Sequence, residues 1–83
     1  MAILKIKVID ASGVDLAGQT VKVSGIDALQ TNAQGMAQFL LGDEAVLDIA
    51  IGGQSCWSGP ANTLARQEVF QQSATGFVRV HAQ

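Results

Sequence analysis

Apolar residues recur at every second position over much of this chain. From Ile3 to Ile9, Leu4, Ile6 and Val8 alternate with Lys5 and Lys7, the pattern of a strand with one face buried and one in water. Asp10-Ala11-Ser12-Gly13 then turns the chain. Gln19 to Gly25 repeats the pattern, with Val21 and Val23 set against Thr20, Lys22 and Ser24. The polar run Gln30-Thr31-Asn32-Ala33-Gln34-Gly35 separates it from a third strand, Met36 to Leu41. In that run Asn32 can bond its own backbone two residues on, and Gly35 can take the positive φ that closes the turn. Gly42-Asp43-Glu44 makes the next turn, and Ala45 to Ile51 supplies a fourth strand built on Val46, Leu47, Ile49 and Ile51, with Asp48 as its polar interruption.

Gly52-Gly53 stops that strand. From Gln54 to Asn62 the chain is rich in Gly and Ser and holds Pro60, so it reads as an irregular segment around Cys56-Trp57 with at most a short strand. Leu64, Ala65, Val69 and Phe70 fit a helical face poorly. The sequence Glu68 to Gln72, the turn Ser73-Ala74-Thr75-Gly76 and Phe77 to Val80 together read as a hairpin. No long helix, linker, low-complexity segment or repeat interrupts this series. Six or seven short strands make an all-β domain, a sandwich or a small barrel.

Size and charge narrow the functional classes. The 83 residues form one domain, and a chain of this length buries only roughly 60 to 65% of the surface it exposes when unfolded. The apolar content is 48% and the charged content 14%, an argument against disorder and for a partner or second copy covering part of the surface. Net charge is −2, and Lys5, Lys7, Lys22, Arg66 and Arg79 are dispersed along the sequence, so no footprint for nucleic acid is visible. Cys56 is the single cysteine, which rules out an internal disulfide and suits a reducing compartment. Lysines inside the first apolar run, with no small-residue cleavage site behind it, exclude a signal peptide and membrane insertion at this end. The expected location is the cytoplasm, or outside it by a route that cleaves no signal.

The residues Val8-Ile9-Asp10, Gly13, Leu16 to Val23 and Gln30 to Gly35 ahead of a strand with Phe39 resemble the carboxypeptidase regulatory-like domains, part of the transthyretin-like (prealbumin-like) sandwich group. The resemblance spans about the first half of the chain. It implies an all-β, small Greek-key β-sandwich of about seven strands, of transthyretin-like or Ig-like type, and a fold that serves many unrelated activities. The hydroxyisourate hydrolases of this group carry a histidine directly before the Val-x-Asp step and end in Tyr-Arg-Gly-Ser. Lys7 stands at the first place here, and the chain ends Val80-His81-Ala82-Gln83, which argues against that activity. Collagen-adhesin B-type repeats join a first-strand lysine to a last-strand asparagine. Lys5 or Lys7 supplies the amine, but Asn32 and Asn62 both fall in loops.

Candidate chemistry is sparse. Ser55-Cys56-Trp57 matches part of the papain-type motif, whose thiolate needs a following helix and a distant histidine. Pro60 follows closely instead, and His81 lies at the chain end, so Cys56 is expected as a small buried hydrophobe. Trp57 also breaks the Gly-x-Ser-x-Gly elbow at its last glycine. His81 has no Cys or His at metal-ligand spacing. Asp10, Asp15, Asp43, Glu44 and Asp48 are spread as turn-formers, with Asp10 and Asp15 in one loop leaving an opening for calcium. No cofactor is expected.

Trp57, the only tryptophan, reads either as a plug over the open side of the sandwich or as an anchor. The expected function is a non-catalytic module that binds another protein or its own copy. Ala45 to Ile51 would pair across an exposed edge, and Gly52 to Asn62 would be the contact loop. The alternative is a small-ligand or carbohydrate-binding domain in which Trp57 stacks on the ligand and Gln54, Asn62 and Gln67 supply hydrogen bonds. A third reading, a minimal hydrolase, uses Cys56 with His81.

Overall fold

In the computed structural model, residues 2–43, 45–64 and 66–80 are described. Among the described residues eight strands run in chain order: β1 (Ala2–Ile9), β2 (Thr20–Val23), β3 (Leu29–Gln30), β4 (Met36–Leu41), β5 (Val46–Ile51), β6 (Gln54–Pro60), β7 (Gln67–Ser73) and β8 (Gly76–Val80). A 3-10 turn, Ala61–Thr63, follows β6. The strands form two four-stranded sheets, β4-β1-β7-β8 and β3-β2-β5-β6, called here the first and the second sheet. All pairings are antiparallel except β1 with β7, which run parallel.

The core is the sum of the inward halves of these alternations. Leu4, Ile6 and Val8 of β1, Val21 and Val23 of β2, Ala37 and Phe39 of β4, Leu47, Ile49 and Ile51 of β5 and Phe70 of β7 are all buried. Their partners in sequence, Lys5, Gln38, Asp48 and Lys22 among them, face out. Neither sheet can hide its apolar side alone, so the two close on each other.

The turn before β4 shows how local chemistry fixes the register. Asn32 Oδ1 accepts from the N–H groups of Gln34 (2.9 Å) and Met36 (3.1 Å), and Gly35 sits at φ +72°. A Cβ on Gly35 would lie 2.5 Å from the Val8 carbonyl oxygen, so this position excludes every side chain. Val8 N–H donates to the Gly35 carbonyl at 2.8 Å, which sets β4 against β1 from Met36 opposite Lys7 to Leu41 opposite Ala2.

Several expectations need correction. Gln54 to Asn62 is no irregular segment: Gln54–Pro60 is a seven-residue strand paired along β5. Its Gly and Ser content is absorbed by a bulge at Cys56, where two steps on β6 oppose one on β5. The strand Ala45 to Ile51 offers no exposed edge, because β5 is bonded to β2 on one side and to β6 on the other. A short strand, β3, forms inside what reads as turn, since two residues of a polar stretch carry too little pattern to be seen. The hairpin reading of Glu68 to Val80 agrees with the structure, where β7 and β8 pair across Ala74-Thr75.

Candidate functional site

The charged pair at the side of the sandwich where β6 and β8 meet arises from the β7–β8 turn. Ala74-Thr75 is a two-residue loop that sets Ser73 opposite Gly76 and therefore Phe70 opposite Arg79. Phe70 faces the core, so Arg79 faces inward too. Glu68, two residues before Phe70 on the same face, is only 5% exposed. Arg79 Nε donates to Glu68 Oε1 at 2.9 Å and Nη2 to Oε2 at 3.5 Å, a two-pronged ion pair at the rim of the core.

Trp57 completes the group from the opposite sheet. It lies opposite Ile49 on the inner side of β6 and packs against the core, and the Arg79 guanidinium sits over its ring at 5.7 Å from the centroid. Gly59, two residues on, gives the ring its space: a Cβ there would stand 3.2 Å from Trp57 Cζ2. Trp57, Arg79 and Glu68 thus form a stack that closes the β6–β8 side. The pairing of Glu68 with Arg79 follows from the turn residues Ser73 to Gly76. The contact with Trp57 crosses between sheets and carries no local sequence signal.

The other candidates do not gather around Trp57. Gln54, at the start of β6, donates from Nε2 to the Thr75 carbonyl at 3.3 Å. Asn62 lies beyond the other end of β6, exposed in the 3-10 turn. Gln67 belongs to the outward row of the first sheet, opposite Lys5, and lines an open depression of about 290 Å³ with Ile3, Lys5 and Arg66.

Cys56 is half-buried at the bulge. Burial pushes its thiol up to about 11, and Sγ donates to the Ile49 carbonyl at 3.3 Å. The thiol is therefore protonated at neutral pH, the opposite of an activated nucleophile. His81 and Glu44 lie outside the described residues. Asp10 Oδ1 accepts from the N–H groups of Ser12 and Val14, and Asp15 pairs with Lys7 at 3.1 Å. Among the described residues no group of three His, Cys, Asp or Glu side chains comes together.

Comparison with known proteins finds no matching family model, curated protein or solved structure.

The outer face of the first sheet gathers what the sequence disperses. Register places Leu40 beside Ile3, Gln38 beside Lys5 and Gln67, and Met36 beside Lys7 and Val69, with Val80 and Val78 continuing the face on β8. Ile3, Leu40 and Val78 are 48, 57 and 47% exposed. Lys5 and Arg66, separated in the chain, line the same depression beside this face, and Lys7 farther along is paired with Asp15. The corresponding rows of the second sheet carry Val46 opposite Pro60, Asp48 opposite Ser58 and Ala50 opposite Ser55, with Val46 60% exposed.

Proposed function

We propose that the chain is a non-catalytic interaction module, a β-sandwich that associates with protein as a self-assembling unit or as an accessory part of a larger assembly. The observation that carries this reading is the outer face of the first sheet, where exposed Ile3 and Leu40 lie side by side next to the Lys5 row and exposed Val78 lies at the far end, level with Ile9. Exposed apolar side chains beside the cations Lys5 and Arg66 suit a protein surface of complementary charge. The transthyretin-like, Greek-key assignment belongs to this same reading. It is supported by the residues that resemble the regulatory-like domains and by a chain that passes from one sheet to the other four times.

A saccharide platform at Trp57 is the weaker alternative. Stacking a sugar needs an open ring face, and one face of Trp57 is occupied by Arg79, while Gln67 lies on the outside of the other sheet.

The test is site-specific photocrosslinking in cells, with the reactive side chain placed at Ile3 or at Ser55. Adducts at Ile3 and none at Ser55 are the expected result. Equal labelling at both positions, or none at Ile3 in a chain that folds normally by circular dichroism, would overturn the reading.

A further inference from the structure

A sandwich of two open sheets has four edge strands, and here three of them carry a device against pairing with another chain. β3 is two residues long. β6 has the Cys56 bulge and ends at Pro60. β8 points the charged Arg79 inward. Short edges, bulges, prolines and inward charges are the means by which sheet proteins avoid edge-to-edge contact. β4 has none of these: Met36-Ala37-Gln38-Phe39-Leu40-Leu41 holds no charge and no proline, and its register against β1 is unbroken over six residues.

The hydrogen-bonding parity shows what this edge offers. Val8 donates to Gly35, so Gly35, Ala37, Phe39 and Leu41 turn their backbone groups toward β1, and Met36, Gln38 and Leu40 turn theirs to the open side. The groups of Met36 are already used, its N–H on Asn32 Oδ1 and its carbonyl on Asn32 N–H. Two donors and two acceptors remain, on Gln38 and Leu40.

We propose that these four groups pair with the same four on a second copy, joining two first sheets into one eight-stranded sheet about a two-fold axis through Phe39. This rests on the reading of the chain as an interaction module and names its partner. Antiparallel pairing about Phe39 places Gln38 opposite Leu40 of the second copy and Leu40 opposite its Gln38, and both are pairs of the kind that exchange two hydrogen bonds. Every free group on the edge is then matched, the N–H and C=O of Gln38 by the C=O and N–H of Leu40 in the second copy and the reverse, and the Asn32 turn marks where the pairing stops. On the outer face each Leu40 gains the stem of a Gln38, and on the inner face each half-buried Leu41 meets an Ala37. No like charges face each other. The contact closes, because an isologous two-fold uses the edge up and leaves β8, guarded by Arg79, at both ends of the joined sheet.

The experiment combines sedimentation equilibrium with amide hydrogen exchange on the native protein from about 20 μM to 1 mM, a range suited to the weak association expected of a small interface. The expected result is a concentration-dependent dimer in which the Gln38 and Leu40 amides become protected together, at least tenfold, while the Phe77 and Arg79 amides on β8 do not. Gln38→Pro removes one edge donor without touching the β1 ladder and should abolish the dimer in a chain still folded by circular dichroism. A monomer throughout, or a dimer with Gln38 and Leu40 amides unprotected, would overturn the proposal. Either result alongside Ile3 crosslinks to a different protein would leave the broader reading standing.

Discussion

The guanidinium of Arg79 lies over the ring of Trp57, 5.7 Å from its centroid, so the edge strand of one sheet is tied to the edge strand of the other by a cation on an aromatic face. Replacing Trp57 by alanine removes both the ring packed against the core and the face that Arg79 rests on. A loss of about 2 kcal/mol in urea unfolding is expected for a half-buried ring of this size. A double-mutant cycle with Arg79→Met should return a coupling of about 1 kcal/mol, and a coupling near zero would show that the two side chains are merely adjacent.

Glu68 depends on the same arginine more heavily. Its carboxylate is nearly enclosed and takes both prongs of Arg79, so removing the cation takes that two-pronged ion pair from a carboxylate in the rim of the core. Arg79→Met is expected to cost about 2 kcal/mol. Arg79→Met combined with Glu68→Met should be more stable than Arg79→Met alone, since an apolar pair buries no carboxylate that has lost its guanidinium. Chemical denaturation of the two variants decides the order, and a double variant below the single one would contradict it.

The Cys56 thiol gives a pH signature. Burial raises it from its ordinary 9.0 to about 11, so the folded chain holds the proton over a range in which the unfolded chain has lost it. Below about pH 9 both states are protonated and the group leaves stability unchanged. Between about 9 and 11 the unfolded state is favoured, and stability falls as pH rises. The fall should be absent in Cys56→Ala. Alkylation by iodoacetamide at pH 8 should likewise be at least tenfold slower in the native protein than in urea.

Thr31 is the other buried polar residue among the described residues, and its removal should be felt. Its hydroxyl donates to the Leu16 carbonyl at 2.6 Å and accepts from Gln19 N–H at 2.9 Å, pinning the loop that enters β2. Thr31→Val keeps the shape and leaves both backbone groups without their partner. A loss of about 2 kcal/mol is expected, with faster exchange of the Gln19 amide as the local readout.

These features differ in how far the chain announces them. Alternation exposes the core because a strand's period is two: Leu4, Ile6, Val8, Val21 and Val23 are visible from their lysine and threonine neighbours alone. The Asn32–Gly35 turn is visible because its chemistry is local. The strand β6 is hidden, since its Gly, Ser and Pro residues have low strand propensity and it is held by pairing with β5 instead. The candidate site is hidden for a related reason. Trp57 stands out by being unique, but Arg79 and Glu68 look like solvated charges until the Ala74-Thr75 turn fixes which way they face. On the outer face, Leu40 and Ile3 are far apart in sequence and only the register sets them side by side, while Val78, level with Ile9, stands at the other end.

Asn32 sets the length of the one unguarded edge, and altering it should change association as well as stability. Its side chain binds the N–H groups of Gln34 and Met36, and its own N–H donates to the Met36 carbonyl at 2.9 Å. Asn32→Ala removes the first two bonds, which are exposed, at a cost of about 1 kcal/mol. It also releases the Met36 N–H to the open side of β4, extending the free edge from two residues toward three. A longer uncharged edge is a better template for pairing, so the variant should be less stable to urea yet associate at lower concentration than the native chain. Sedimentation velocity on the two proteins reads the second effect directly. A variant that loses stability and associates no more readily would mean that the Asn32 turn closes the strand without limiting its contacts.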